Sequence, residues 1–383
     1  MAVSLDDILG QRVAIGQLRA MLASERLHHG LIFHGPAGVG KFTTAVSLAR
    51  RVLCHRPETT LTGETLACGH CASCRLFKEP PTDDEGGLPG DDPSSGGHPD
   101  LHVVTKELSR YSDDANVRAR KLTNIPVDVL KEHLIGPAFR SAQLGHGKVF
   151  VVDEAELIRG EGQNALLKTL EEPPAGTTIV LVTSSEERLL PTIRSRCQRI
   201  AFVPLPPEEV ARFVKREAPA LDANGAAWVA RFADGSLGRA ALALEHGLTD
   251  WADALVPMVH GLAKGRAMPG FGDESAQKIE AFAEGWVKAH ANASKEAANK
   301  LAADLLAQLV TAEARHALRQ AAGGVPAGDA LAGDAALGPW LSVIDAAASF
   351  RRRLGSNVNL KLACAGLSAD LHAAFAQPAP SPA

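Results

Sequence analysis

The stretch Gly35-Pro36-Ala37-Gly38-Val39-Gly40-Lys41-Phe42-Thr43 constrains the chain more than any other part of it. An apolar run, Gly30-Leu31-Ile32-Phe33-His34, precedes it, and the helix-forming Ala45-Val46-Ser47-Leu48-Ala49-Arg50 follows. Strand, glycine loop and helix in that order build a phosphate cradle. The glycines let backbone N–H groups turn inward around an anion, and the helix aims its positive end at the same point. Lys41 would reach the outer phosphates. The pattern is G-x-x-x-x-G-K without its closing hydroxyl. Phe42 stands where a Ser or Thr should hold Mg²⁺; its ring cannot ligate a metal and would crowd one. Thr43 comes one residue late, about 100° round the helix. The loop therefore predicts Gly35, Gly38, Gly40, Lys41 and Thr43 around weakly bound ATP/Mg²⁺ with little or no turnover. The plain alternative is a structural turn.

The rest of the first half supports a P-loop fold. Lys148-Val149-Phe150-Val151-Val152 reads as a buried strand ending in Asp153 and Glu154. In working sites of this kind a strand-end Asp fixes the Mg²⁺ shell and an adjacent Glu can orient the attacking water; the bland reading is two solvated acids. A helix over Gly162–Glu172 is stopped by Pro173-Pro174, and Thr177–Ser185 is another buried strand. Pro99–Val104 reads as a strand, and Ile125–Leu130 opens a helix. Alternating strands and helices predict an α/β domain with a parallel sheet covered on both faces. Residues 1–30 are a helical lead-in to it. After Pro204-Leu205-Pro206-Pro207 the pattern turns helical. Residues 207–245 form a small module, and 246–376 form Ala/Leu-rich helices interrupted over 320–339. The expected divisions are 1–203, 204–245, 246–376 and a disordered tail, 377–383.

Four cysteines follow the P-loop helix with the spacing C-x13-C-x2-C-x2-C: Cys54, Cys68, Cys71 and Cys74. The N-terminus is polar and acidic, not a leader, and no apolar run of about 18 residues occurs, so a cytoplasmic, non-membrane protein is expected. In a reduced compartment four thiolates at this spacing predict a closed, structural Zn²⁺ site over 54–74, with His55 or His70 able to replace one thiolate. Cys197 and Cys364 read as core or incidental. Residues 78–99, rich in Pro, Gly and acids, hold too little apolar content to order themselves and read as a mobile surface loop. The formal net charge of −4 gives no global attraction to nucleic acid. A zinc-dependent DNA-binding protein is disfavoured further by the lack of a basic tract interleaved with aromatics. Arg196, in Ser195-Arg196-Cys197, reads from spacing as a solvated charge at a helix end; its functional reading is an arginine finger.

Taken together, these pieces resemble the clamp-loader ATPase family of bacterial DNA replication. The resemblance rests on Asn164–Pro174 (Asn-Ala-Leu-Leu-Lys-Thr-Leu-Glu-Glu-Pro-Pro) and Arg188–Cys197 (Arg-Leu-Leu-Pro-Thr-Ile-Arg-Ser-Arg-Cys), with the four cysteines and His98-Pro99-Asp100-Leu101 beside them. It is tight over roughly residues 5–245 and loose beyond, apart from Asn357–Ala363. It implies an AAA+ nucleotide-binding domain, a helical lid and a helical collar. The collar would join a five-subunit ring with gamma/tau and delta subunits, which places a sliding clamp on primed DNA. It also implies that Arg196 is a finger given in trans to an adjacent gamma/tau ATP site. Thr183 or Ser184 takes the sensor-one position; Arg239 lies near sensor two, one residue out of the active spacing. Phe42 favours a non-hydrolysing partner that belongs to a polymerase holoenzyme without polymerase activity of its own. Intact Lys41, Asp153 and Glu154 keep an active gamma/tau-type ATPase as the alternative.

Overall fold

The computed structural model describes residues 5–60, 65–77, 97–118, 124–289, 295–324, 330–354 and 359–376. The acidic loop expected at 78–99 lies outside the described residues from 78 to 96, and the tail expected at 377–383 lies outside them too. The chain divides into two compact units, Met1–Val210 with Gly235–Gly238, and Ala211–Asp234 with Arg239–Ala383.

The first unit is α/β. Its strands are β1 (Gly30–His34), β2 (Glu58–Thr59), β3 (Thr65–Leu66), β4 (Leu101–Val104), β5 (Lys148–Val152), β6 (Thr177–Thr183) and β7 (Gln198–Ala201). Five of them form one sheet in the order β4-β5-β6-β1-β7, with every pair parallel. The expected strands fall where apolar runs put them, because a parallel sheet buried on both faces needs continuous rather than alternating hydrophobicity. Every residue of β5 and β6 is buried. Ile32, Phe150, Val152, Ile179 and Leu181 pack with Leu166 and Leu170 of the helix Gly160–Glu171 and with Val129, Leu130 and Leu134. That helix stops before Pro173-Pro174, as predicted. β2 and β3 form a separate antiparallel ladder, which the sequence did not signal.

The glycine loop follows β1, and β6 lies between β1 and the acid-ended β5. The register sets His34 beside Thr183 and Val152 beside Leu181. The carboxyl ends of β1, β5 and β6 thus meet at one rim, where open α/β sheets bind ligands. The lead-in is a 3₁₀ turn, Leu5–Asp7, and a helix, Arg12–Ala23. The helix ends at Ala23, and Glu25 turns left-handed at φ 53°. Buried Gln11 ties this segment to the site: its amide donates to Val39 O at 3.2 Å and to Val203 O at 2.7 Å.

The described residues of the second unit form helices joined by turns, with no strand among them. Ala223–Ala233, Leu248–Ala263, Phe271–Ala289, Lys295–Gly324, Ala330–Leu354 and Leu360–Ala376 enclose a core that includes Phe232, Leu255, Phe271, Leu306, Phe350 and Leu367. The interruption expected over 320–339 is narrower than read. Ala-rich helices reach into it from both sides, as far as Gly324 and from Ala330 onward. Alanine's helix propensity outweighs the scattered glycines there. Among the described residues no helix is long and apolar enough to cross a membrane.

Candidate functional site

The phosphate loop leaves β1 through three glycines with positive φ: Gly35 at 137°, Gly38 at 73° and Gly40 at 97°. A Cβ at Gly35 would strike the Phe202 carbonyl, and one at Gly38 would strike Ser236 Oγ. The loop is also held from outside, since Gly238 N donates to Gly38 O at 2.9 Å. The helix Lys41–Val52 starts at once, with no side chain capping it, so its leading N–H groups are left for a ligand or water. Lys41 is buried, and its ammonium donates to Gly35 O at 2.7 Å and Pro36 O at 2.5 Å. Burial lowers its pKa, against the pull of Glu156 and Asp153. Phe42 is half-buried and Thr43 exposed. Thr44, the next hydroxyl, donates back to Gly40 O at 2.7 Å.

Across the rim, Asp153 follows β5 and Thr183 ends β6. Burial pushes the Asp153 carboxyl up to about 6; Glu154 and Glu156 push the same way, while the Glu154 N–H at 3.0 Å and Lys41 oppose them. Glu154, expected beside Asp153 to orient water, adopts a left-handed conformation at φ 48° and pairs with Lys106 at 2.5 Å. The second carboxylate acting on Lys41 is Glu156, which the sequence reading passed over. Glu156 accepts from the backbone N of Ser184 at 3.2 Å and from the Ser184 hydroxyl. Burial raises its pKa, but hydrogen bonds from Ser184 and Thr183 outweigh that, so the net shift is downward. The available signal was the run Asp153-Glu154-Ala155-Glu156: the 3₁₀ turn Ala155–Leu157 brings the third acid back to the rim. Buried Thr183 accepts from Ser185 N at 3.0 Å.

Arg196 lies just beyond the short helix Pro191–Arg194. One η nitrogen donates to Thr192 O at 2.9 Å, the other is ion-paired with Glu171 at 2.6 Å, and the side chain is 36% exposed. Arg239 belongs to the second unit and lies 4.0 Å from Asp234. Burial pushes the Cys197 and Cys364 thiols up to about 12, which fits packing rather than reactivity.

Cys54, Cys68, Cys71 and Cys74 converge, with all four sulfurs within 4.8 Å of one another. Cys54 follows the helix Lys41–Val52, and Cys74 lies in the helix Ala72–Leu76. Cys54 Sγ is 3.6 Å from Cys68 Sγ and 3.9 Å from Cys71 Sγ. A tetrahedral ion with bonds of about 2.3 Å would separate its sulfurs by about 3.8 Å, so the set fits a four-coordinate metal. The thiols do not ionise alike. Burial works to raise Cys71, but N–H groups of Cys74 and His55 and the neighbouring thiols bring it down to about 6. Burial and the adjacent Cys71 and Cys54 drive Cys74 up to about 12. Four thiolates this close need a cation among them.

The family model described as "DNA polymerase III, delta subunit" matches residues 10–206. DNA polymerase III subunit delta' of Pseudomonas aeruginosa is 36% identical over 178 residues, 46% of this chain and 44% of that protein. DNA polymerase III subunit delta' of Escherichia coli is 34% identical over 195 residues, 51% of this chain and 48% of that protein. DNA polymerase III subunit gamma/tau of Mycobacterium tuberculosis is 30% identical over 213 residues, 56% of this chain and 31% of that protein. The chain thus spans about half the length, or less, of these curated relatives.

Proposed function

The chain belongs to the DNA polymerase III delta subunit family and resembles its delta-prime members, and we propose that it serves as the delta-prime subunit of a clamp loader. In this reading it is a stator-like partner of gamma/tau and delta subunits. It completes a neighbour's ATP site with Arg196 and so helps place a sliding clamp on primed DNA in the cytoplasm. Its divisions are then a nucleotide-binding-type domain over 1–203, a lid over 204–245 and a collar over 246–376. The observation that carries the reading is the guanidinium of Arg196, anchored by Glu171 and Thr192 yet still partly exposed, in a chain whose own phosphate loop lacks a magnesium hydroxyl at Phe42. Cys54, Cys68, Cys71 and Cys74 hold Zn²⁺ in a closed structural site. Gly35, Gly38, Gly40, Lys41, Asp153 and Thr183 would line a weak ATP site, with Thr43 and Glu154 at its margin.

The test is reconstitution with gamma/tau and delta subunits. Arg196→Ala should leave this subunit folded and assembled while lowering turnover at the site it completes by on the order of a thousandfold. Unchanged complex ATPase would remove the finger assignment. The second reading, an active gamma/tau-type ATPase, is favoured by the buried Lys41 and by Asp153 at the same rim. It requires robust Mg²⁺-dependent ATP hydrolysis by the isolated chain. We expect none above background, and Phe42→Thr to tighten nucleotide binding in a titration.

A further inference from the structure

An acid at the carboxyl end of a helix works against the helix dipole, whose negative pole lies there. Glu171 is the last residue of the helix Gly160–Glu171, with Glu172 beyond it. An exposed Lys or Arg would suit the position better on local grounds. What Glu171 gains is Arg196, 2.6 Å away. The same guanidinium donates to Thr192 O at 2.9 Å, and Thr192 lies in the short helix Pro191–Arg194 that leads to it. One η nitrogen is therefore tied to its own turn and the other to the end of a different helix. A guanidinium has five N–H groups in a planar fork; the Arg196 Nε–H has no partner among the described residues. Two anchors on separate elements fix the plane of that fork and leave its other N–H groups for an incoming anion. Glu171 is itself held firmly, because Leu166 and Leu170 of its helix are buried in the sheet core.

We propose that Glu171 is a positioning residue for Arg196: it holds the guanidinium in the orientation in which it meets the neighbouring subunit's nucleotide. The proposal rests on the finger reading above. Glu171 touches no nucleotide and acts only through Arg196. A long side chain without this anchor samples many rotamers, and a displacement of about 1 Å in a charge-stabilising group can cost on the order of a hundredfold in rate.

The experiment compares wild type, Glu171→Ala, Glu171→Gln, Glu171→Asp and Arg196→Ala in the reconstituted complex with Mg²⁺-ATP, with assembly checked by gel filtration. Glu171→Ala should lower kcat at the completed site by about tenfold or more and leave KM for ATP and assembly unchanged. Glu171→Asp should restore part of the loss, and Glu171→Gln, which keeps the shape without the charge, should restore less. In the isolated chain, the Arg196 Nε–Hε resonance should change from ordered to mobile in Glu171→Ala, as read by the heteronuclear NOE. Arg196→Ala lowering kcat while Glu171→Ala leaves it intact would overturn the positioning role. An Arg196 resonance equally ordered in wild type and Glu171→Ala would overturn it as well. If Arg196→Ala itself has no effect, the finger reading falls and takes this role with it, and that failure is recognised by which variant is silent.

Discussion

Asp153 illustrates how much of the site turns on single carboxylates. Its pKa is pushed up to about 6 from 3.8, chiefly by burial. A carboxyl raised on folding binds more protons in the folded than in the unfolded chain between those two values. Stability therefore falls as pH rises from about 4 to 6, and above that the charged form is a standing cost of about 3 kcal/mol. Asp153→Asn should raise the thermal midpoint of the first unit at pH 7 by a few degrees and flatten that slope. An equal or lower midpoint at pH 7 would show that Lys41 already offsets the charge. A costly half-buried acid at the strand end fits a site that still binds cations. By contrast, exposed Glu154 pairs with half-buried Lys106, and ion pairs open to solvent contribute little. The sequence identified the residue types at this rim but not their aim. Nothing in Asp153-Glu154-Ala155-Glu156 announces that a left-handed turn at Glu154 hands the role beside Lys41 to Glu156.

At the scale of elements, the sheet was legible because burial on both faces writes itself into the sequence as apolar runs; Val149–Val152 and Ile179–Val182 needed no context. The helix Gly160–Glu171 was legible by its proline stop. The ladder of β2 with β3 was not, since Glu58–Thr59 and Thr65–Leu66 are two-residue strands with no buried face and no pattern. What holds that excursion is the cysteine cluster, and its spacing could be read because geometry demands four sulfurs in one small volume. With Cys74 driven up to about 12, metal binding must expel protons, so affinity falls as pH falls. Elemental analysis of the purified chain should find one zinc. Cobalt in its place should give the intense visible bands of a tetrahedral thiolate site, and these should fade on acidification. Cys74→Ser should weaken the metal strongly and loosen residues 54–77, read as faster amide exchange there. A folded, metal-free chain with protected amides over 54–77 would refute the site.

The whole molecule is two units with separate cores, and its four tryptophans, Trp228, Trp251, Trp286 and Trp340, all lie in the second. Tryptophan emission therefore reports on the helical unit alone, while a metal in the cysteine cluster reports on the α/β unit. The helical unit contains one charge whose removal separates the two signals. Glu313 is 3% exposed in the middle of the helix Lys295–Gly324. It accepts from the Trp228 indole N–H at 2.9 Å and pairs with His260 at 3.2 Å, joining three helices. Burial works to raise its pKa, but hydrogen bonds from His260 and Trp228 outweigh it and leave the value lowered. A carboxyl depressed on folding adds stability that is full above its unfolded value of 4.5 and is lost as pH falls through the folded one. Glu313→Leu fills the space but strands the indole N–H and the imidazole, at a cost of about 3 kcal/mol; Glu313→Gln, which can still accept from Trp228, should cost less. In thermal melts of the cobalt-loaded chain, Glu313→Leu should lower the midpoint read by tryptophan emission and leave the midpoint of the cobalt bands in place. The acid-side loss of tryptophan-reported stability should disappear in the same variant. If both midpoints drop together, the two units unfold as one cooperative body.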